Sequence, residues 1–484
     1  MIKVSYILDG VNVVSKSSER DFEVSGLQFD SREIQKGDLF VAISGVHMDG
    51  HNFIDKAISL GAAVIVCEVL PVQEYEDVLF VKVKDASKVL AQLASNFFRN
   101  PSRELKLVGV TGTNGKTTVA TLLYNLFTSL GFASGLLSTV KVMVGINEFP
   151  ATHTTPDSIS INRYLRKMID SGIEYCFMEV SSHGIDQNRV EALSFQGGVF
   201  TNLSHDHLDY HNSFAEYRDV KKRFFDKLPK TAFALYNKDD RNGSVMVQNT
   251  KAKKFSFALK SISDFKVKVL ENQFSGMNLM IDNMEVWTKL VGGFNAYNIL
   301  AIYAVTQLLD VSKEDALTHI SNLDSVSGRF QYFVSKNNVT GIIDYAHTPD
   351  ALKNVLETIN EIRTTNENLT TVVGCGGDRD MEKRPKMGYI ASVLSSKVIF
   401  SSDNPRSEDP YSIIEQMENG VSPEYSSKIL SIENREQAIK AACQFSKPND
   451  IILVAGKGHE TYQEIKGQRY DFNDLEILKK HLNS

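Results

Sequence analysis

One segment constrains this chain more than any other. Thr111-Gly112-Thr113-Asn114-Gly115-Lys116-Thr117-Thr118 stands between an apolar strand pattern at 105–110 and a helical pattern at 116–130. Strand, glycine turn and helix start form the setting in which backbone N–H groups curl around phosphate oxygens. Glycine admits the backbone angles that the curl needs, and the helix N-terminus adds partial positive charge. In that frame Gly112, Thr113, Asn114 and Gly115 make the cradle. Lys116 neutralises the outer phosphates, and the Thr117 hydroxyl, followed by Thr118, is placed to hold Mg²⁺. The loop departs from the GxxxxGK[ST] pattern once, where Val110 occupies the first glycine position. A chance Gly-Lys-Thr in a turn would lack this strand and this helix, so the expected ligand is a nucleoside triphosphate.

Strand and helix patterns alternate through the rest of the chain. Strand patterns occupy 39–43, 62–67, 79–83, 105–110, 175–180, 199–202, 341–344, 371–374, 397–401 and 451–455. Helical patterns occupy 86–98, 116–130, 159–171, 296–309, 351–362 and 435–445. Repeated strand-then-helix units imply crossovers and mostly parallel sheet, hence an α/β fold. A length of 484 residues is the size of about three domains. Boundaries are expected at Arg99-Asn100-Pro101-Ser102 and within 325–333, and the polar segment 251–289 reads as an antiparallel insertion.

Composition removes other classes. At 42% hydrophobic and 23% charged residues the chain can build several cores, which excludes a disordered protein. A formal charge of -6 offers no basic footprint for nucleic acid or a membrane surface. No apolar run approaches the roughly 18 residues of a spanning helix, and MIKVSYILDG does not read as a signal peptide, so a cytoplasmic protein is expected. Cys67, Cys176, Cys375 and Cys443 form no CxxC pair and are expected as reduced thiols.

Two motifs need weighing. Asn237-Lys238-Asp239-Asp240 looks like the NKxD base-reading motif of GTPases, but no DxxG lies between Thr118 and Tyr236, and a strand-ending turn is the preferred reading. The run Thr201-Asn202-Leu203-Ser204-His205-Asp206-His207-Leu208-Asp209-Tyr210-His211 has histidines at a zinc-like spacing. A phosphate loop calls for a harder cation and fewer imidazoles, so Mg²⁺ is expected rather than zinc. Glu179, in Met178-Glu179-Val180-Ser181-Ser182-His183-Gly184, is the carboxylate at a strand end expected to anchor it.

These segments recur in a fixed order with GxFNxYN at 292–298, SGRF at 327–330, DYAHTPDAL at 344–352, GCGGDRD at 374–380, DNPR at 403–406 and AGKGHE at 455–460. Together with Asp30-Ser31-Arg32 and the GDLFVA run at 37–42, they resemble the Mur ligases of peptidoglycan synthesis over nearly the whole chain. The resemblance implies three domains. Residues 1–101 would bind the UDP end of a UDP-MurNAc-peptide, 102–331 would form a central phosphate-loop ATPase domain with mostly parallel sheet, and 332–484 would form a Rossmann-like domain for the incoming amino acid. It further implies ATP-dependent amide synthesis through an acyl phosphate. A carboxylate is a poor acyl donor until phosphorylation supplies a leaving group, and cations must neutralise the approach of two anions.

The same resemblance implies roles for individual residues. Thr117 and Glu179 hold one Mg²⁺ and His207 helps hold a second. Lys221 matches a lysine carbamylated by CO₂ to give a further anionic ligand, although by its sequence alone it reads as a solvated helix charge. Asn295 meets adenine, Arg329 the γ-phosphate and Asp344 the ribose; the task of His347 stays open. Ser31, Val46, His47 and Met48 face the uridine, while His153, Thr154, Thr155, Ser181, Gln187 and Arg189 line the path to the peptide. Arg379, Asp403, Asn404, Pro405, Arg406, Gly456 and Glu460 read the amino acid. A guanidinium at Arg406 can clamp a distal carboxylate bidentately, and lysine has none, so meso-2,6-diaminopimelate is the implied third amino acid. An L-lysine-adding ligase is the alternative within the family. A folylpolyglutamate-synthetase-like ligase is disfavoured by Asp30-Ser31-Arg32 and DNPR, and a regulatory ATP-binding module would release no ADP in response to substrate. The implied partners are small molecules, with no nucleic acid and no membrane insertion, and a monomer is expected.

Overall fold

The structure is a computed structural model and describes every residue except 46, 47, 74, 205, 207–209, 364, 365 and 484. Three sheets organise it. The first runs in the order Val13–Lys16, Leu79–Val83, Val64–Cys67, Leu39–Val41, Leu27–Gln28, parallel apart from its first strand. The last has six strands in the order Gln331–Val334, Thr340–Asp344, Ile451–Ala455, Leu369–Val373, Lys397–Phe400, Ile429–Ser431, with only the first antiparallel.

The middle sheet has eleven strands. Its phosphate-loop strand, Lys106–Thr111, lies between Tyr175–Glu179 and Gly197–Phe200, both parallel to it. The chain leaves this strand toward Ser134–Leu137 on one side and, after Tyr175–Glu179, crosses to Gly197–Phe200 on the other. That opens a crevice at the carboxyl ends of the strands, where ligands of open α/β sheets bind. The expected insertion at 251–289 is instead part of this sheet. Lys253–Ala258 pairs parallel to Phe233–Asn237, and only Phe265–Gln273, Gly276–Ile281 and Met284–Thr288 run antiparallel to one another. Polar residues alternate there because these outer strands bury one face, as in Phe265–Gln273, where Val267 is buried between exposed lysines.

Two helices fix the site. Gly293–Leu308 is buried on nearly all sides and so is apolar all round, packing against the phosphate-loop helix Lys116–Ser129. Phe214–Asp226 starts at Ser213, whose hydroxyl accepts from the Glu216 N–H. Its buried positions are Tyr217, Val220, Lys221, Phe224 and Phe225, one helical stripe with a lysine in it. Among the described residues no helix is long and apolar enough to cross a membrane.

Candidate active site

The phosphate loop closes tightly. Gly112 has φ +151°, and a Cβ there would lie 2.0 Å from Thr201 Oγ1, so glycine is required. Val110, at the first glycine position of the common pattern, is buried in the strand and pairs with Glu179. The turn is pinned from the next strand: Asn114 N–H donates to Asn202 Oδ1 at 2.9 Å, and Thr201 Oγ1 donates to the Asn114 carbonyl at 2.6 Å.

The cations and hard oxygens converge on this loop. Lys116 Nζ folds back onto the Gly112 and Thr113 carbonyls at 3.0 and 2.8 Å. Lys221 Nζ reaches the same Gly112 carbonyl at 2.9 Å and lies over the Tyr217 ring. The solvated reading of Lys221 is wrong: the residue is 1% exposed. Burial, and then the charge of Lys116, push its ammonium well below the ordinary lysine range. Burial also lowers Lys116, with Glu179 and Asp206 opposing. Thr117 Oγ1 donates to Glu179 Oε2 at 3.0 Å, and Glu179 Oε1 accepts the Thr139 N–H at 2.7 Å. Hydroxyl and carboxylate oxygens in contact are donors suited to Mg²⁺. Arg329 Nη2 donates to Thr117 Oγ1 at 3.0 Å while its guanidinium stacks 4.4 Å from the Tyr345 ring. His207, with His205, Leu208 and Asp209, lies outside the described residues.

A cavity of about 530 Å³ spreads from this loop. Thr113, Asn114, Gly115, Lys116, Thr117 and Thr118 line it with Glu179, Asn295, Arg329 and Asp344. Asn295 is held by its Nδ2 bond to the Val291 carbonyl and by Asn298. Asp344 Oδ2 accepts the Phe330 N–H at 2.7 Å, and burial pushes its carboxyl up to about 6 against the pull of Arg329. In the NKxD-like turn, Asp239 accepts from the Leu259, Lys260 and Ser261 N–H groups and from the Tyr297 hydroxyl, which makes it a structural turn.

A second cavity of about 850 Å³ lies at the carboxyl edge of the last sheet. It gathers Arg379, Asp403, Asn404, Arg406, Gly456 and Glu460, from loops that follow three different strands; Pro405 is not in its lining. The two cavities share Thr154, Leu203, Ser204, Asp206, Tyr345, His347 and Asp350. His347 Nδ1 lies 2.8 Å from the Tyr345 carbonyl, and burial lowers its imidazole to about 4. Asn114 Nδ2 donates across the junction to Asp350 at 3.1 Å.

The residues expected along the peptide path form a third group. Thr155 Oγ1 donates to the Glu179 carbonyl and accepts from the Ser181 N–H. Arg189 clamps Gln187 Oε1 with two N–H groups and donates to the Thr155 carbonyl at 2.6 Å. Ser181 caps the next helix through the Gly184 N–H, and Thr154 accepts from Thr139. His153 is exposed. Ser31 is buried beside the Asp30–Arg32 pair, and Met48 is exposed; neither lines either cavity. Val46 and His47 lie outside the described residues.

Three features escaped the sequence reading. Lys457 is buried and donates to Asn404 Oδ1 and Glu460 Oε2 at 3.0 and 2.9 Å. His459 packs on Tyr345, and burial lowers it to about 3. Arg384 is buried beneath the DNPR loop. Lys457 and His459 lie inside the AGKGHE motif, which was the available signal, whereas Arg384 lies beyond the end of GCGGDRD at Asp380 and had none.

Comparison with known proteins meets this geometry. Residues 23–98 match the profile described as Mur ligase family, catalytic domain; 110–306 match the Mur ligase middle domain; and 328–458 match the Mur ligase, glutamate ligase domain. Curated relatives called UDP-N-acetylmuramoyl-L-alanyl-D-glutamate–2,6-diaminopimelate ligase, from Cytophaga hutchinsonii and Phocaeicola vulgatus, are 49% and 50% identical to this chain. The alignments cover 100% and 99% of this chain and 99% of each relative. A solved structure of a ligase of that same name superposes with a TM-score of 0.69 at 28% identity, over 99% of this chain and 98% of that one. With its loop, its junction of cavities and these full-length relatives in agreement, the chain belongs to the Mur ligase family.

Proposed function

We propose that the chain is a cytoplasmic ATP-dependent ligase that joins meso-2,6-diaminopimelate to the D-glutamate γ-carboxylate of UDP-MurNAc-L-Ala-D-Glu, releasing ADP and phosphate. One observation carries this reading: the phosphate-loop cavity and the cavity around Arg406 share Thr154, Leu203, Ser204, Asp206, Tyr345, His347 and Asp350. An activated carboxyl and an incoming amine meet where two such cavities join. The relatives' names, which specify this amino acid, support the substrate. The three sheets support a division into 1–101, 102–331 and 332–484, the second boundary falling one residue inside strand Gln331–Val334.

In the proposed reaction the γ-carboxylate oxygen attacks the γ-phosphorus of ATP and ADP leaves. The amine then attacks the acyl phosphate and phosphate departs with the bridging oxygen. Two Mg²⁺, one held by Thr117 and Glu179 and a second held with the help of His207, with a carbamate on Lys221 as a further ligand, would neutralise the two anions as they approach. Lys116 exchanges its loop carbonyls for the outer phosphates, and Arg329 exchanges Thr117 for the γ-phosphate. The buried amine of Lys221 supports carbamylation, because a lowered pKa leaves the neutral nitrogen that CO₂ needs; addition forms the N–C bond and releases one proton. Asn295 and Asp344 take the adenine and ribose. Ser31, Val46, His47 and Met48 take the uridine, and His153, Thr154, Thr155, Ser181, Gln187 and Arg189 the peptide. Arg379, Asp403, Asn404, Pro405, Gly456 and Glu460 take the amino-acid ends, with Arg406 on the distal carboxylate. Isotopically labelled oxygen in the γ-carboxylate should appear in the released phosphate during turnover. Label retained wholly in the product or in water would refute the acyl-phosphate route.

A further inference from the structure

Arg406 sits in a left-handed conformation, φ +51°, which an L side chain adopts only when its surroundings impose it. Its backbone is held by the strand Tyr462–Ile465 and the turn that follows. Arg406 N–H donates to the Glu464 carbonyl at 3.1 Å, and its own carbonyl accepts the Lys466 N–H at 2.7 Å. Its side chain is held from the other side, where Nη1 donates to the Gly377 carbonyl at 2.7 Å. The direction of the guanidinium therefore depends on where the 376–378 turn stands.

That turn is fixed from below by residues outside the amino-acid cavity. Arg384, wholly buried near the start of helix Lys383–Leu394, forms two parallel 2.8 Å bonds to Glu408, Nη1 to Oε2 and Nη2 to Oε1. The same Nη2 reaches the Gly376 carbonyl at 3.3 Å. Glu408 Oε1 accepts the Asp378 N–H at 2.5 Å. Asp378, itself at φ +52°, accepts from the Ser407 hydroxyl at 2.6 Å and the Ser407 N–H at 3.2 Å. The two loops are packed so closely that a Cβ on Gly377 would fall 1.9 Å from the Pro405 carbonyl oxygen. Neither Arg384 nor Glu408 lines the cavity, whereas Gly376, Arg379, Asn404 and Arg406 do.

We propose that Asp378, Arg384 and Glu408 are positioning residues for substrate selectivity. Their bonded network seats the 376–378 turn, the turn aims Arg406, and Arg406 thereby prefers an amino acid ending in a carboxylate. This rests on the reading above that Arg406 takes the distal carboxylate. A bidentate guanidinium–carboxylate contact is strongly directional, so a small displacement of the turn removes one of its two bonds. A merely structural pair would lower activity toward every amino acid alike.

The test is a double-mutant cycle of Glu408→Gln with Arg406→Ala, measuring kcat/KM for meso-diaminopimelate and for L-lysine together with KM for ATP and for the UDP-dipeptide. Glu408→Gln should raise KM for diaminopimelate about tenfold or more, the loss of roughly one charge-assisted bond. KM for ATP and for the UDP-dipeptide, and kcat/KM for L-lysine, should stay within about twofold. In the Arg406→Ala background the same change should add almost nothing, because contacts acting through one residue are not additive. Asp378→Asn, on the exposed side of the network, gives the same readout if Glu408→Gln does not fold, and should lower the diaminopimelate-to-lysine ratio without lowering the melting temperature. Equal losses on both amino acids, or a full loss in the Arg406→Ala background, overturn the positioning role. A wild type that uses both amino acids equally, or an Arg406→Ala variant unchanged on diaminopimelate, overturns the reading of Arg406 itself, and the positioning role falls with it.

Discussion

Replacing Lys221 by Met separates its chemistry from its packing. The side chain is 1% exposed on the stripe Tyr217, Val220, Lys221, Phe224, Phe225, and its nitrogen touches the Gly112 carbonyl close to Lys116. Methionine keeps the length and flexibility of the stem and fills the same space. Burial and Lys116 both disfavour an ammonium here, so its removal takes no strong ion pair from the fold. Stability should change by no more than about 1 kcal/mol, the usual outcome when a polar group is replaced by an apolar one of similar volume. Activity should fall far more. An anionic ligand to a catalytic metal contributes several kcal/mol to the transition state, and about 3–5 kcal/mol corresponds to roughly 10²–10⁴ in kcat. Urea titration gives the first quantity and coupled ADP release the second. Lys221→Ala, which leaves a gap, should regain part of its rate with acetate or formate, whereas Lys221→Met should not. Full turnover by Lys221→Met, or by wild type freed of bicarbonate and lacking the mass of one added CO₂, would refute the carbamate.

Lys116→Ala should lower the rate of ADP release by about 10³ or more while leaving the thermal melt intact, since among the described residues the hydrogen bonds of its nitrogen go to its own loop carbonyls. Asp344 is raised to about 6, so it ionises as pH rises through that value and is protonated below it. KM for ATP should therefore climb as pH falls below about 6, and Asp344→Asn should flatten that step. Arg435 and Asp474 form a wholly buried pair at 2.8 Å, so Asp474→Asn should cost about 3–5 kcal/mol in urea unfolding by leaving the guanidinium without its counter-charge.

Regular elements were the most legible part of the sequence. Strands 79–83 and 451–455 and helix 435–445 fall on the expected residues, because apolar runs bounded by turn residues set both their type and their ends. The phosphate loop was legible because its glycines are dictated by backbone geometry. The segment 251–289 was misread because polar alternation marks a one-sided strand but does not say which sheet it joins. Lys221 was misread for a different reason. A charged residue on a helix suggests solvent, yet its spacing of four from Tyr217 and from Phe225 already put it on the apolar stripe. Arg384 and Glu408 could not be paired at all, since the fold brings together groups 24 positions apart.

The rate of ADP release in the presence of UDP-MurNAc-L-Ala-D-Glu, with meso-diaminopimelate, with L-lysine and with neither, tests the central claim most directly. Release should require both the dipeptide and an amino acid. kcat/KM should favour diaminopimelate by at least about 10³, between the worth of one charge-assisted bond and the rejection available to a site whose polar groups are left unpaired. Release that ignores the dipeptide would contradict the ligase, and comparable use of L-lysine would contradict the assignment of its third substrate.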